Sequence, residues 1–259
     1  MDLMLDGKVA LVSGGSKGIG AAISKVLLSE GCNVVIGGRN SENLSKTCQE
    51  LGSVVQKGRQ ILSFQGDLTK SNIPKKFITF AIEKFKGLDI LINNVGGSIP
   101  GGIEEISDEN WDNAFQLNLY QAVKCSRFAI SEMKKGDGGS ILNVASIYGR
   151  ESRGSMTYNA SKAALISFSK ALAFETADDN IRVNCIAPGS VIFKGGGWEK
   201  KVLSSDDGLK TFIDSDLPLK RFGRPEEIAS VAAFMVSPKA SLVHGACWNV
   251  DGCQSVSNI

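Results

Sequence analysis

Short, uninterrupted apolar runs punctuate this chain at Val9 to Val12, Val34 to Ile36, Ile61 to Phe64, Ile90 to Ile92, Ile141 to Val144, Val183 to Ile186 and Cys247 to Val250. Each is short and rich in β-branched residues, as a strand is, and longer stretches with helical spacing separate them. That alternation predicts parallel strands joined by helical crossovers. The runs are continuously apolar rather than alternating, which predicts that helices cover both faces of the sheet. The expected fold is therefore α/β, a single domain over residues 1–259 built on a doubly wound parallel sheet of about seven strands. Ligand is expected beyond the carboxyl ends of the strands, where the strand order reverses.

The first run feeds Ser13-Gly14-Gly15-Ser16-Lys17-Gly18-Ile19-Gly20, followed by a helix expected over Ala21 to Ser29. Glycines there allow a tight turn, and the amides of a helix N-terminus face an anion, so the loop is a candidate diphosphate cradle. Its spacing is Gly-x3-Gly-x-Gly, neither the Gly-x-Gly-x2-Gly dinucleotide fingerprint nor a Walker loop, which needs Lys-Ser/Thr after its last glycine. Gly14-x-Ser16-x-Gly18 also fits a hydrolase nucleophile elbow. That reading needs a base, and His244 is the sole histidine of the chain.

Composition narrows the field. With 259 residues, 42% of them hydrophobic, the chain can bury one large core. A net charge of +2 without a long basic run gives no support to nucleic-acid binding, and no apolar stretch reaches membrane-spanning length. No secretory signal opens the chain, so a cytoplasmic location is expected. Cys32, Cys48, Cys125, Cys185, Cys247 and Cys253 contain no C-x-x-C pair, which favours reduced, structural thiols. One histidine excludes a metal site built on several imidazoles, and no metal is expected.

The residues richest in chemistry are Ser146, Tyr158 and Lys162. Ser140-Ile-Leu-Asn-Val-Ala-Ser146 brings a serine to the end of a strand, and a helix then carries a phenol and an ammonium four positions apart. Bringing a phenol from its ordinary pKa of about 10 towards 7 takes about 4 kcal/mol. An ammonium about 5 Å away supplies roughly 3 kcal/mol at an effective dielectric near 20. The trio is thus a candidate proton donor for carbonyl–alcohol redox chemistry. Tyr120 and Lys124 share the spacing but lie in the helical run Trp111 to Lys135 with no strand-ending serine upstream, and read as surface or interface residues.

Together the glycine loop, Asp67, Asn93-Asn94-Val95-Gly96, Asn118, Ser146, Tyr158-x3-Lys162 and Pro188-Gly189 resemble the short-chain dehydrogenase/reductase family over nearly the whole chain. The resemblance extends to 3-oxoacyl-(acyl-carrier-protein) reductases. It implies a Rossmann-like fold, a nicotinamide cofactor and a catalytic set of Asn118, Ser146, Tyr158 and Lys162. By the same resemblance, Asp67 contacts adenine and Asn93 supports the central sheet. Asn118 holds a water linking Lys162 to solvent, and Lys162 binds the nicotinamide ribose. Further cofactor contacts are implied at Gly14, Ser16, Lys17, Gly18, Ile19, Gly20, Leu68, Asn94, Gly96, Pro188, Gly189 and Val191. Phe193 departs from the family pattern, standing where many members have a threonine that holds the nicotinamide amide.

The second strand ends in Gly37-Gly38-Arg39, without the acid that would bind a ribose 2′-hydroxyl. Arg39 offers a fork for a 2′-phosphate and Lys17 a second cation, so NADP(H) is the expected cofactor. Residues 193–221 are expected to form a substrate lid hinged at Gly195-Gly196-Gly197, with Trp198, Phe212 and Ile213 closing over a small carbonyl or alcohol. For an acidic carrier protein, Lys134, Lys135 and Lys200-Lys201 would provide a basic mouth and Asp178-Asp179 would oppose it. A noncatalytic dinucleotide-binding scaffold would not need the intact relay. The family is commonly tetrameric, and the apolar helix Ala163 to Phe174 is a candidate interface.

Overall fold

The computed structural model describes residues 1–204 and 207–258. Seven strands form one parallel sheet: β1 (Val9–Ser13), β2 (Asn33–Gly38), β3 (Ile61–Gln65), β4 (Ile90–Asn93), β5 (Gly139–Val144), β6 (Ile181–Pro188) and β7 (Cys247–Val250). Their order is β3-β2-β1-β4-β5-β6-β7, so the reversal falls between β1 and β4. The crossovers are helical: α1 (Gly18–Ser29), α2 (Ser41–Leu51), α3 (Ile73–Phe85), α4 (Asp108–Phe115), α5 (Gln121–Met133) and α6 (Met156–Thr176). After β6 come α7 (Gly197–Leu203), α8 (Asp207–Asp216) and α9 (Pro225–Val236).

The continuous apolar strands divide by residue parity between two cores. Ala10, Val12, Val34, Ile36, Ile90 and Ile92 pack with α1, α2 and α9 through Ile23, Leu27, Leu44 and Ile228. Leu11, Val35, Leu91 and Ile141 face the other way, onto Phe77, Ile78, Cys125, Ala129 and Leu172 of α3, α5 and α6. A strand between two helical layers has no solvent side, which is why its polar alternation vanishes. The edge strands depart from this. β3 is only partly buried, and Trp248 on β7 stays 37% exposed against Phe234.

Two helix expectations are revised. The first helix starts at Gly18 rather than Ala21, because Gly18 turns the chain with φ +56 and the helix winds directly from it. The run from Trp111 to Lys135 is not one regular helix. A wide π turn over Gln116–Tyr120 separates α4 from α5. Its cause is Asn118, whose amide Nδ2 donates to the Ala114 carbonyl at 3.0 Å and so competes with the backbone for that acceptor.

Candidate active site

At the carboxyl end of β1 the chain turns through Gly14, with φ +64, into the N-terminus of α1. That terminus has no side-chain cap and no acidic residue in its first turn, so its amide donors are left to an external acceptor. A Cβ on Gly20 would run into the Gly14 carbonyl oxygen, so the loop closes on itself tightly enough to admit only glycine there. Ser13 clasps the neighbouring strand end: its Oγ accepts from the amides of Asn94 and Val95 at 2.9 and 3.3 Å. Asn94 Nδ2 donates back to the carbonyls of Ser13 and Gly14 at 3.2 and 3.1 Å. Ser13 is the last residue of β1, beside the strand-order reversal, and that position gives it this bridging role.

From this loop a cleft of about 530 Å³ runs across the reversal point. Arg39, Asp67 and Leu68 line one end; Gly14, Ser16, Lys17 and Ile19 line the middle; Asn94, Gly96, Pro188, Gly189 and Val191 line the other with Ser146, Tyr158 and Lys162. Gly18 and Gly20 shape the loop from behind. The ring of Phe193 presses on Gly18, leaving no room for a Cβ there, and Lys17 Nζ donates to the Gly195 carbonyl at 3.2 Å. Burial works against ionisation of Asp67, yet hydrogen bonds from Thr69 and the charges of Arg39 and Lys70 hold it below the usual carboxylate range.

The residues expected to handle the proton converge at the far end. Ser146 follows β5, its Oγ accepts from the Tyr148 amide at 3.1 Å, and it lines the cleft together with Tyr158. Lys162, 2% exposed, donates from Nζ to the Val144 carbonyl at 2.7 Å and stands 5.7 Å from the centre of the Tyr158 ring. Burial pushes the Tyr158 phenol up, with Ser146 opposing the rise and Tyr148 adding to it. Burial brings Lys162 itself down to about 8, with Cys185 opposing the fall. Asn118 is buried behind the cleft. Its amide is engaged with both the carbonyl and the N–H of Gly97, at 2.9 Å each, and with Ala114.

Ser146 and Tyr158 also line a second cavity, of about 640 Å³, which Ser98, Tyr148, Arg153 and Ser155 bound on one side and Trp198, Lys201 and Phe212 on the other. Trp198 stacks on Phe212 at 4.6 Å and meets Phe222 at 5.1 Å, while Lys201 lies 4.7 Å over the indole. Arg153 pairs with Asp216 at 3.0 Å, tying α8 to the loop after β5. Of the residues expected to close here, Trp198 and Phe212 line the cavity and Ile213 is not among its lining residues. Only Gly195 of the three expected hinge glycines has positive φ; Gly196 caps α7 and Gly197 begins it. Ser205 and Asp206, within the expected lid, lie outside the described residues.

Two other readings fail on placement. Ser16 lies in the cleft, whereas His244 is at the opposite end of the sheet, its Nδ1 accepting from the Val183 amide and its Nε2 against the Ala173 carbonyl. They cannot form a hydrolase triad. Lys134 and Lys135 close α5 just before β5 begins, hence at the amino ends of the strands, and pair with Asp179 and Glu132. They do not border the site mouth, and neither does Asp178-Asp179 before β6. Among the described residues, no cluster of three or more His, Cys, Asp or Glu is arranged to hold a metal ion.

A short chain dehydrogenase profile matches residues 8–194, the span from β1 past the end of β6. The chain belongs to the short-chain dehydrogenase family. A 3-oxoacyl-[acyl-carrier-protein] reductase of Chlamydia trachomatis is 36% identical over 253 residues, 97% of this chain and 99% of that protein. Among solved structures, L-sorbose reductase from Gluconobacter frateurii in complex with NADPH and L-sorbose matches with a TM-score of 0.93 and 33% identity, covering 99% of this chain and 100% of that one. A 7α-hydroxysteroid dehydrogenase complexed with NADH matches with a TM-score of 0.89 and 30% identity over 97% of this chain and 96% of that one. As a short-chain dehydrogenase this chain is an oxidoreductase that uses a nicotinamide cofactor, and members of its family take both cofactor forms.

Proposed function

We propose that this short-chain dehydrogenase is an NADP(H)-dependent reductase of a small polar ketone or aldehyde, able to run in reverse on the alcohol. The observation that carries the reading is that Ser146 and Tyr158 line both the long cleft and the second cavity. A carbonyl oxygen seated between them would stand where the two spaces meet. The cleft fits the cofactor by its own features: a glycine loop that excludes side chains, an uncapped helix N-terminus, and a channel from Arg39 to Lys162. Arg39 and Lys17, with no acid at the end of β2, favour a 2′-phosphate.

When bound, the nicotinamide supplies or accepts the hydride. Ser146 then donates a hydrogen bond to the carbonyl oxygen as negative charge grows there, and Tyr158 passes its proton to that oxygen. General acid catalysis of this kind contributes about 10² to 10⁴ in rate. Lys162 favours the phenolate that is left and binds the ribose, which requires its ammonium to leave the Val144 carbonyl or to share its donors. Asn118 fixes the backbone of Gly97, next to Gly96, which lies against Lys162. The lid is residues 193–221, whose aromatic face and Lys201 shield the transfer from water.

The hydroxyls of Ser98, Ser155 and Tyr148, with Arg153 and the Trp198 face, support a hydroxylated ketone as substrate. A 3-oxoacyl thioester is the second reading, favoured by the relationship to the C. trachomatis reductase and by Lys201 at the cavity. Phe174, 77% exposed on α6, and Trp248 on β7 support assembly into a homotetramer. No helix among the described residues is long and apolar enough to cross a membrane.

Steady-state oxidation of NADPH and NADH against ketoses, simple ketones and 3-oxoacyl thioesters on coenzyme A and on carrier protein tests the reading. NADPH-dependent turnover of a free polar ketone is expected. Tight cofactor binding with no turnover across the panel would replace it with the noncatalytic scaffold.

A further inference from the structure

Four side-chain positions lie at one register level across the second half of the sheet: Asn93 on β4 beside Asn143 on β5, Asn143 beside Cys185 on β6, and Cys185 beside Cys247 on β7. Neighbours in register on parallel strands point to the same face. Hydrogen bonds join the row. Asn93 Nδ2 donates to Asn143 Oδ1 at 2.8 Å, Asn143 Nδ2 to Ser169 Oγ at 2.7 Å, and Cys185 Sγ to the same Ser169 Oγ at 3.0 Å. At the open end, Cys185 and Cys247 pack in one cluster with Ala145 and Leu165, and Arg150 donates to the Cys247 carbonyl at 2.9 Å. Two thiols on adjacent strands, one buried and one half-buried, are an arrangement that the proposed hydride transfer does not use.

We infer that Cys185 and Cys247 form a peroxide-responsive dithiol that closes to a disulfide between β6 and β7. Neighbouring strands are spaced about 4.8 Å apart, within the roughly 4.4 to 6.8 Å between Cα atoms that a disulfide spans. β7 is the edge strand of the sheet, paired within the protomer only to β6, the strand that carries Cys185. The two cysteines are unequal in the way the chemistry needs. The Cys185 S–H and the Arg150 guanidinium hold Cys247 below the ordinary thiol range, and burial only partly offsets them. Its contact with Cys247, together with burial, pushes Cys185 up. The half-buried Cys247 is therefore the thiolate that meets the oxidant, and buried Cys185 the thiol that resolves it.

The step balances with hydrogen peroxide as oxidant. The Cys247 thiolate attacks one peroxide oxygen, an S–O bond forms, the O–O bond breaks, and hydroxide leaves to take up a proton as water. Cys185 sulfur then attacks Cys247 sulfur; the S–S bond forms, the S–O bond breaks, and the hydroxyl departs as water with the Cys185 proton. Two thiols lose two electrons in all, and peroxide becomes two waters.

Cys247 and Cys253 fall in the same tryptic peptide, so the test uses the full-length Cys253→Ser protein. It is treated with hydrogen peroxide, blocked with N-ethylmaleimide, digested with trypsin and mapped by mass spectrometry. The expected product is a cross-linked species joining the peptides that begin at Val183 and Ala240, two hydrogens lighter than their sum and separated by reductant. The same dose given to Cys247→Ser should leave Cys185 alkylated. Recovery of both peptides in alkylated form while Cys48 is oxidised would overturn the inference. So would a Cys247 carrying added oxygens with Cys185 still alkylated, since that thiol would then have no resolving partner.

Discussion

Replacing Lys162 by methionine should stabilise the nucleotide-free protein near neutral pH while destroying its activity. Burial lowers this ammonium from 10.5 to about 8, a fall worth about 3 kcal/mol. Below pH 8 both the folded and the unfolded chain carry the charge, and the folded state bears its full desolvation cost. Between pH 8 and 10.5 the folded chain releases the proton while the unfolded chain keeps it, so stability rises with pH through that window. Above it neither state is charged and the cost is gone. Methionine fills a similar volume without charge, but it forfeits the hydrogen bond to the Val144 carbonyl, worth about 1 kcal/mol. The variant should therefore lead wild type by about 2 kcal/mol at pH 7, and that lead should shrink by about 2 kcal/mol on going to pH 10. Urea unfolding of both proteins at the two pH values measures it, with turnover at pH 7 expected to drop at least about 100-fold. A stability difference that is the same at pH 7 and pH 10 would refute a buried, cost-bearing ammonium. Full turnover in the variant would refute its catalytic assignment.

Tyr158→Phe should remove nearly all turnover with little loss of cofactor affinity, and Ser146→Ala should act mainly on kcat; Tyr120→Phe, 43% exposed and not among the residues lining either cavity, is the control, and loss of activity there alone would show the wrong tyrosine had been chosen. Arg39→Asp should shift the ratio of kcat/KM for NADPH over NADH by roughly a hundredfold towards NADH. A wild-type protein that already prefers NADH would contradict the 2′-phosphate assignment. Gly20→Ala places a methyl against the Gly14 carbonyl and within 2.6 Å of Asn94 Nδ2. Cofactor affinity measured by fluorescence titration should fall at least about tenfold and stability by about 1 to 3 kcal/mol.

The strand positions were legible because a parallel sheet between two helical layers writes itself as short continuous apolar runs. Which helices each strand residue meets also follows from parity, as Leu11 and Val12 show by facing opposite cores. The π turn at Asn118 was not legible, since periodicity carries through one inserted residue and the competing amide shows only in three dimensions. Nor could spacing reveal that Lys162 turns to a carbonyl: the helix sets where its Cα stands, not which acceptor its long side chain finds. The misplacement of Lys134 and Lys135 was avoidable. Residues that immediately precede a parallel strand lie at its amino end, away from the site, whatever their charge.

Lys17 belongs to the glycine loop of the cleft, yet its ammonium rests on the carbonyl of Gly195, where the segment over the second cavity begins. Phe193, two positions earlier, rests on Gly18 of the same loop. The two spaces thus share a wall, and an anion that draws Lys17 away releases an anchor of the other compartment's roof. Linkage makes this reciprocal: whatever free energy a bound dinucleotide spends in repositioning residues 193–195 is returned as altered affinity in the neighbouring cavity, and a compound seated there changes dinucleotide affinity by the same factor. The strength of that coupling is set by one lysine with two claims on its donors.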